Sequence, residues 1–172
     1  FQSEAMKSWI GTAVNKDGHA FNHTVTARFK NLGFHARADV NMTELDGTQV
    51  MGDVDVLAWD KDTGIVYATE CKRLLFARTV AEIGERLQEY TSIAAPGEDR
   101  TPIQKHLDRI AFLRTALPAI SKTTGIPADE IVLRSALVTD YLVPMQFLED
   151  TAKLVDVVTD ISLLDEAVKN GG

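Results

Sequence analysis

A chain of 172 residues with 45% apolar and 25% charged residues has the length and composition of one globular domain, and its longest apolar runs are too short to span a bilayer. The net charge of −7 argues against a dedicated nucleic-acid binder, which usually carries a basic surface. A single cysteine, Cys71, excludes an internal disulfide and fits a reducing cytoplasm, and no signal peptide is recognisable.

Phe1-Gln2-Ser3 reads as the remnant of a protease-site tag, leaving residues 7–172 as a single domain. From Asn15 to Leu32 the pattern is helical, with Phe21, Val25, Phe29 and Leu32 at spacings of four, four and three. His19 and His23, four apart on this helix, could chelate a transition metal, but no third ligand of fitting type lies nearby in the sequence. Phe34 to Met42 reads as a strand, followed by a turn at Glu44 to Gly47.

Gln49 to Lys72 then reads as a hairpin. Asp60-Lys61-Asp62-Thr63-Gly64 has turn composition, and a turn centred on Asp62 and Thr63 pairs Trp59 with Val66 and sets Asp55 opposite Glu70 and Asp53 opposite Lys72. Strict alternation would put these three acids and the lysine on one face, with Val54, Val56, Tyr67 and Cys71 on the other. Opposed carboxylates repel, and an unpaired buried charge costs several kcal/mol, so a positive group belongs between Asp55 and Glu70. Mg²⁺ or Mn²⁺ suits a pair of hard oxygen ligands, and Lys72 would stand beside the metal-bound water. Cys71, on the opposite strand face, reads as a small buried apolar residue.

After Lys72, residues 73–78 form a connection. Thr79-Val80-Ala81-Glu82 has capping-box form and predicts a helix to about Ile93, with Ile83, Leu87 and Tyr90 inward. Thr101-Pro102-Ile103-Gln104 repeats the signal for a helix to Leu117, where Pro118 ends or kinks it. Residues 120–127 read as irregular, Ile131 to Val138 as a strand buried on both faces, Leu154 to Val158 as another strand, and Ser162 to Lys169 as a closing helix. Gly171 and Gly172 are expected to fray. Between Lys72 and Arg114 eight cations face six acids, a mildly basic balance that fits either solvated helix faces or a phosphate-binding surface. Gly-rich phosphate loops and serine-centred nucleophile motifs are absent, which removes nucleotide hydrolases and acyl-transfer enzymes as leading readings.

Gly52-Asp53-Val54-Asp55 followed on the next strand by Glu70-Cys71-Lys72 resembles the PD-(D/E)XK nuclease superfamily. The resemblance covers nearly the whole chain, since the core order of helix, three strands, helix and strand is the order read above. It implies an α/β fold with a restriction-endonuclease-like core: a mixed central sheet flanked by helices, ordered helix, three strands, helices, two strands, helix. It also implies a nuclease dependent on Mg or Mn and acting on nucleic acid, DNA first. Asp55 and Glu70 would bind the metal with the Cys71 backbone carbonyl, Lys72 would assist the water, and Asp53 competes with Asp55 as first acid. Arg73, Arg78 and Lys105 are the candidate nucleic-acid contacts.

Many members carry a glutamate on the first helix where this chain has Asn22, which brings no charge and implies fewer metals or weaker catalysis. A nuclease-fold module that binds nucleic acid or a protein partner without cutting is therefore the alternative, and a purely structural cluster in which Lys72 neutralises Asp53 is a third. The acidic net charge further implies targeting through a partner protein, an additional domain or an oligomer.

Overall fold

The computed structural model describes residues 4–73, 82, 93–95, 99–142 and 153–170. Among these residues a five-stranded mixed sheet is flanked by four α-helices: α1 (Glu4–Asn31), β1 (His35–Asn41), β2 (Asp53–Trp59), β3 (Ile65–Lys72), α2 (Pro102–Thr115), α3 (Leu117–Thr124), β4 (Val132–Thr139), β5 (Val157–Asp160) and α4 (Leu164–Asn170). The strands lie in the order β1-β2-β3-β4-β5, with the β1–β2 and β2–β3 pairs antiparallel and the β3–β4 and β4–β5 pairs parallel.

Apolar residues cover both faces of the sheet. On one face Phe21, Val25 and Phe29 of α1 join Leu164 and Val168 of α4 against Ala36, Val56, Ala58, Tyr67, Cys71, Ala136 and Val138. On the other, Ile110 and Leu113 of α2 and Ile120 of α3 pack on Val40, Val54, Leu57, Trp59, Val66 and Ala68. The spacing of Phe21, Val25 and Phe29 makes this inward stripe, each burying an apolar side chain worth about 1.5–3 kcal/mol. Cys71 is buried within the first cluster, and burial drives its thiol pKa well up, which makes it an inert core residue.

The hairpin forms in the expected register. Asp60 N donates to Ile65 O at 2.9 Å, Thr63 Oγ1 donates to Asp60 Oδ2 at 2.7 Å, and Trp59 pairs with Val66. Its entry differs from expectation, because Gln49–Met51 form a 3-10 turn and β2 begins only at Asp53. A second 3-10 turn, Met42–Leu45, occupies the expected turn, capped by Asn41 and Glu44.

Further differences have local causes. Helix α1 starts near Glu4 rather than Asn15, the segment Glu4-Ala5-Met6-Lys7 being rich in good helix formers and free of proline. Residues 117–124, expected to be partly irregular, form α3, because Pro118 sits in a first turn where a missing donor costs nothing and Gly125 closes the helix at a φ of 74°. The strand expected at Leu154–Val158 is displaced to Val157–Asp160, where Asp156 accepts from Ser135 N and Oγ, both at 2.7 Å, and sets the start of the β4–β5 pairing. Only half of the Thr101 capping box forms. Thr101 Oγ1 accepts from Gln104 N at 3.3 Å, while the Gln104 carbonyl accepts from Ala94 N. The helix expected from Thr79 falls outside the described residues apart from Glu82 and Ile93.

The alternation of β1 and β2 breaks at one level. Ala38 pairs with Val56 and Val40 with Val54, while Asp39, between them, takes a φ of 51°. Ala36 and Val56 therefore belong to the α1 face and Val40 and Val54 to the α2 face. The expectation that Val54 and Val56 share a face is corrected here: the left-handed Asp39 resets the period of two in β1, and the β1–β2 ladder breaks at its level, opposite Asp55, so that β2 changes face there as well.

Gly64, at a φ of 73°, closes the hairpin, and a Cβ there would lie 2.3 Å from the backbone oxygen of Glu130. Gly64→Ala should cost at least about 2 kcal/mol and lower the melting temperature by about 4–8 °C, measured by thermal unfolding.

Candidate active site

The site is built where the β2–β3 ladder ends. Pairing is continuous from Trp59↔Val66 to Val56↔Thr69, and beyond it Asp55 Oδ2 accepts from the backbone N–H of Cys71 at 2.8 Å. Asp55 thus stands level with Glu70, as the sequence register requires. Asp53 does not meet Lys72; it accepts from Asn41 Nδ2 of β1 at 2.7 Å. Lys72 Nζ instead lies 2.8 Å from Glu70 Oε1, so the alternative in which Lys72 neutralises Asp53 is corrected.

The structure adds two residues of α2 to the group. Arg109 Nη2 donates to Glu70 Oε2, and its Nη1 donates to the carbonyl of Met51 at 3.3 Å. His106 is buried one turn earlier, with Nδ1 3.9 Å from Glu70 Oε2 and Nε2 without a partner among the described residues. Residues three apart share a helix side, which is why both reach β3. Sequence reading counted Arg109 among surface cations and passed over His106. Their only signal was position, beside Ile103, Ile110 and Leu113 on the buried stripe of α2.

Charges in this setting are strongly perturbed. Glu70 is 6% exposed; burial raises its pKa, but Lys72, Arg109 and His106 outweigh burial and hold it below the ordinary range. Asp55 makes no direct ion pair with a described residue, and Lys72 and Arg109 act on it only from a distance. Burial and the charge of Glu70 push it up to about 6, against the Cys71 N–H bond that favours its ionised form. Lys72 is opposed by burial yet raised by Glu70 and Asp55, so it stays protonated. Burial takes His106 down to about 4, and the imidazole is neutral at pH 7.

Asn22 points to neither Asp55 nor Glu70. Its Nδ2 donates to Asp39 Oδ1 at 2.7 Å, and His19 Nδ1 lies 2.9 Å from the same oxygen. Asp39, absent from the sequence-based candidates, occupies the gap in the β1–β2 register opposite Asp55. The hydrogen bond to Asp39 raises the pKa of His19, while His23 Nε2 is 4.0 Å from Asp39 Oδ2. Among the described residues no three His, Cys, Asp or Glu side chains form a group able to hold a metal by themselves. A metal at Asp55 and Glu70 would therefore complete its shell with carbonyl oxygen, water or substrate.

The Asp55–Glu70 pair offers hard oxygen donors of the kind a divalent cation takes: Asp55 Oδ1 accepts from no described residue, while the Glu70 oxygens meet Lys72 and Arg109, with which an ion would share that carboxylate. Of the candidate nucleic-acid contacts, Arg73 Nε lies 3.7 Å from Asp140 Oδ2, Lys105 is exposed on α2, and Arg78 falls outside the described residues.

A family model described as "Upx-like: Anti-phage protein Upx-like" matches residues 1–162. The chain belongs to this family of anti-phage proteins. No curated protein and no solved structure matches it, and the family match gives no support for membership of the PD-(D/E)XK superfamily. No helix among the described residues is long and apolar enough to cross a membrane.

Removing Arg109 strips Glu70 of one of its two close cations. Arg109→Leu should destabilise the fold by on the order of 3 kcal/mol, and Glu70→Gln in the same background should recover part of the loss in denaturant unfolding.

The pH dependence is hidden in a cancellation. Between about pH 4 and 6 the folded chain keeps on Asp55 a proton that the unfolded chain has released, and lacks on His106 a proton that the unfolded chain has bound. Each group contributes a slope of up to about 1.4 kcal/mol per pH unit, of opposite sign. In EDTA, Asp55→Asn should lose stability as pH falls from about 6.5 to 4, and His106→Phe should gain it as pH falls from about 6. Parallel profiles for the two variants would contradict these assignments.

Proposed function

We propose that the chain is a metal-dependent phosphodiesterase that cuts nucleic acid, DNA first, in defence against phage. The observation that carries this reading is the juxtaposition of Asp55 and Glu70 at the end of one hairpin, with Lys72 Nζ 2.8 Å from Glu70. It is supported by the element order of helix, three strands, helix and strand, which is that of the PD-(D/E)XK core, and by the anti-phage family to which the chain belongs.

Asp55, Glu70 and the Cys71 carbonyl are the groups that would hold Mg²⁺ or Mn²⁺. When bound, such an ion supplies a water of lowered pKa and neutralises charge developing on a scissile phosphate. The chain's own groups do the rest. Lys72, held protonated by Glu70 and Asp55, orients the attacking water and balances its charge; it does not act as the base. Arg109 neutralises Glu70 from α2, and its planar guanidinium is of the kind that could also hold a phosphate oxygen beside that carboxylate. Asn22, in place of the glutamate common in that superfamily, donates to Asp39, so the acid missing from α1 is offset by one from β1.

One observation favours a second reading. Glu70 is neutralised by Arg109 and Lys72 within the protein, so its burial does not demand a metal. In that case the domain binds nucleic acid or a protein partner without cutting.

The two readings separate on Lys72. With Mn²⁺ at about 100 times its Kd, the melting temperature should rise by about 5–10 °C. Asp55→Ala should lose both that rise and cleavage of phage DNA, while Lys72→Ala should keep the rise and lose cleavage by at least about 100-fold. A wild-type chain that is stabilised by Mn²⁺ and cuts neither DNA nor RNA would leave the binding reading standing, and Asn22→Glu would then be assayed for gain of activity.

A further inference from the structure

We propose that the cavity between the 3-10 turn Gln49–Met51 and the start of α2 is a binding place for one unstacked nucleotide, so that the substrate is presented as a single strand or a frayed strand end. The proposal rests on the nucleic-acid reading above and names the substrate class for the same site.

The cavity has a volume of about 440 Å³, within the range of small-molecule sites. One wall is apolar, formed by Val50 and Met51; the other is charged, with Asp99 and Arg100 just before α2 and Lys105, Asp108 and Arg109 on it. Its floor is tied to the acidic pair, because Arg109 donates both to Met51 O and to Glu70. A group seated there is a neighbour of the carboxylate that would hold the metal.

Val50 is 97% exposed, an apolar side chain held in water at the rim of a charged cavity. The turn that presents it is enforced by Gly52, whose φ of 75° and ψ of −141° suit glycine alone. A base laid against Val50 and Met51 would remove that surface from water, and every base has an apolar face to offer once it is unstacked. In a duplex those faces are stacked, and only phosphates would reach the cavity.

The charges suit the rest of a nucleotide. Three cations face Asp99 and Asp108, a positive excess on a chain whose net charge is −7. Arg100 Nη1 is paired with Asp108 Oδ2 at 2.7 Å and Arg109 is held by Glu70, whereas exposed Lys105 makes no ion pair with a described residue and is the cation available to a phosphate. Asp99 adds a carboxylate that can accept from a base N–H.

The test is fluorescence anisotropy in EDTA, where no cutting occurs, with a short labelled single strand and its blunt duplex, over a salt titration. The wild type should bind the single strand about tenfold more tightly than the duplex. Val50→Asp should lose about that factor on the single strand alone, and Lys105→Ala should lower the salt slope by about 1, with melting temperatures unchanged. Lys122→Ala, an exposed cation off the cavity, should bind as wild type. Equal affinity for single strand and duplex, or both cavity variants binding as wild type, would overturn the proposal; the nuclease reading would survive if Mn²⁺-dependent cleavage that needs Asp55 persists. Absence of binding to either form overturns it as well, and absence of that cleavage besides would remove the nuclease reading.

Discussion

The constraint on which this molecule turns is a glutamate inside an apolar sheet. Glu70 lies on β3, between β2 and β4, in a strand whose other residues before Lys72 are Ile, Val, Tyr, Ala, Thr and Cys. A lone carboxylate there would be prohibitive, and it is admitted because Lys72 arrives from its own strand and Arg109 from the helix that crosses the sheet. The position of α2 is therefore set by charge as well as by the packing of Ile110 and Leu113. Lys72 and Arg109 sit on Glu70 rather than on Asp55, so burial and the charge of Glu70 outweigh them at Asp55 and raise its pKa to about 6 while Glu70 stays ionised. Two neighbouring carboxylates with pKa values driven apart form the kind of pair that binding and chemistry exploit.

Much of this was legible in the sequence because it is local. The Asp60–Gly64 turn has one sensible register, and that register alone places Asp55 beside Glu70. Strand β4 could be recognised because it is rich in Val, Leu and Ala, although only its second half, Ser135–Thr139, is fully buried and Val132 at its start is exposed. What escaped was of two kinds. Arg109 and His106 lie on α2, remote in sequence from β3, and a cation on a helix usually means a solvated face; nothing in the residue types says that a buried acid waits opposite. The second kind is conformational. Asp39 alternates with Ala38 and Val40 as an outward polar residue would, and only its positive φ shows that the strand is reset there. Short elements failed for a related reason: α3 and β5 are too brief for periodicity to mark, and their limits are set by Gly125 and by the Asp156–Ser135 bonds.

The parallel and antiparallel halves of the sheet have different relations to the chain. Strands β1, β2 and β3 follow one another within residues 35–72, so their pairing closes only short loops, whereas β4 must return to β3 across the stretch that contains α2 and α3. Loop closure and non-local pairing slow folding, so the antiparallel meander is the segment able to assemble first. At that stage Asp55, Glu70 and Lys72 are already neighbours, but Arg109 and His106 have yet to arrive. The nascent meander carries its acids in water, where they cost little, and the low-dielectric setting that makes them reactive is created only when α2 docks and brings the guanidinium with it. Assembly in that order would keep the charge from being buried alone.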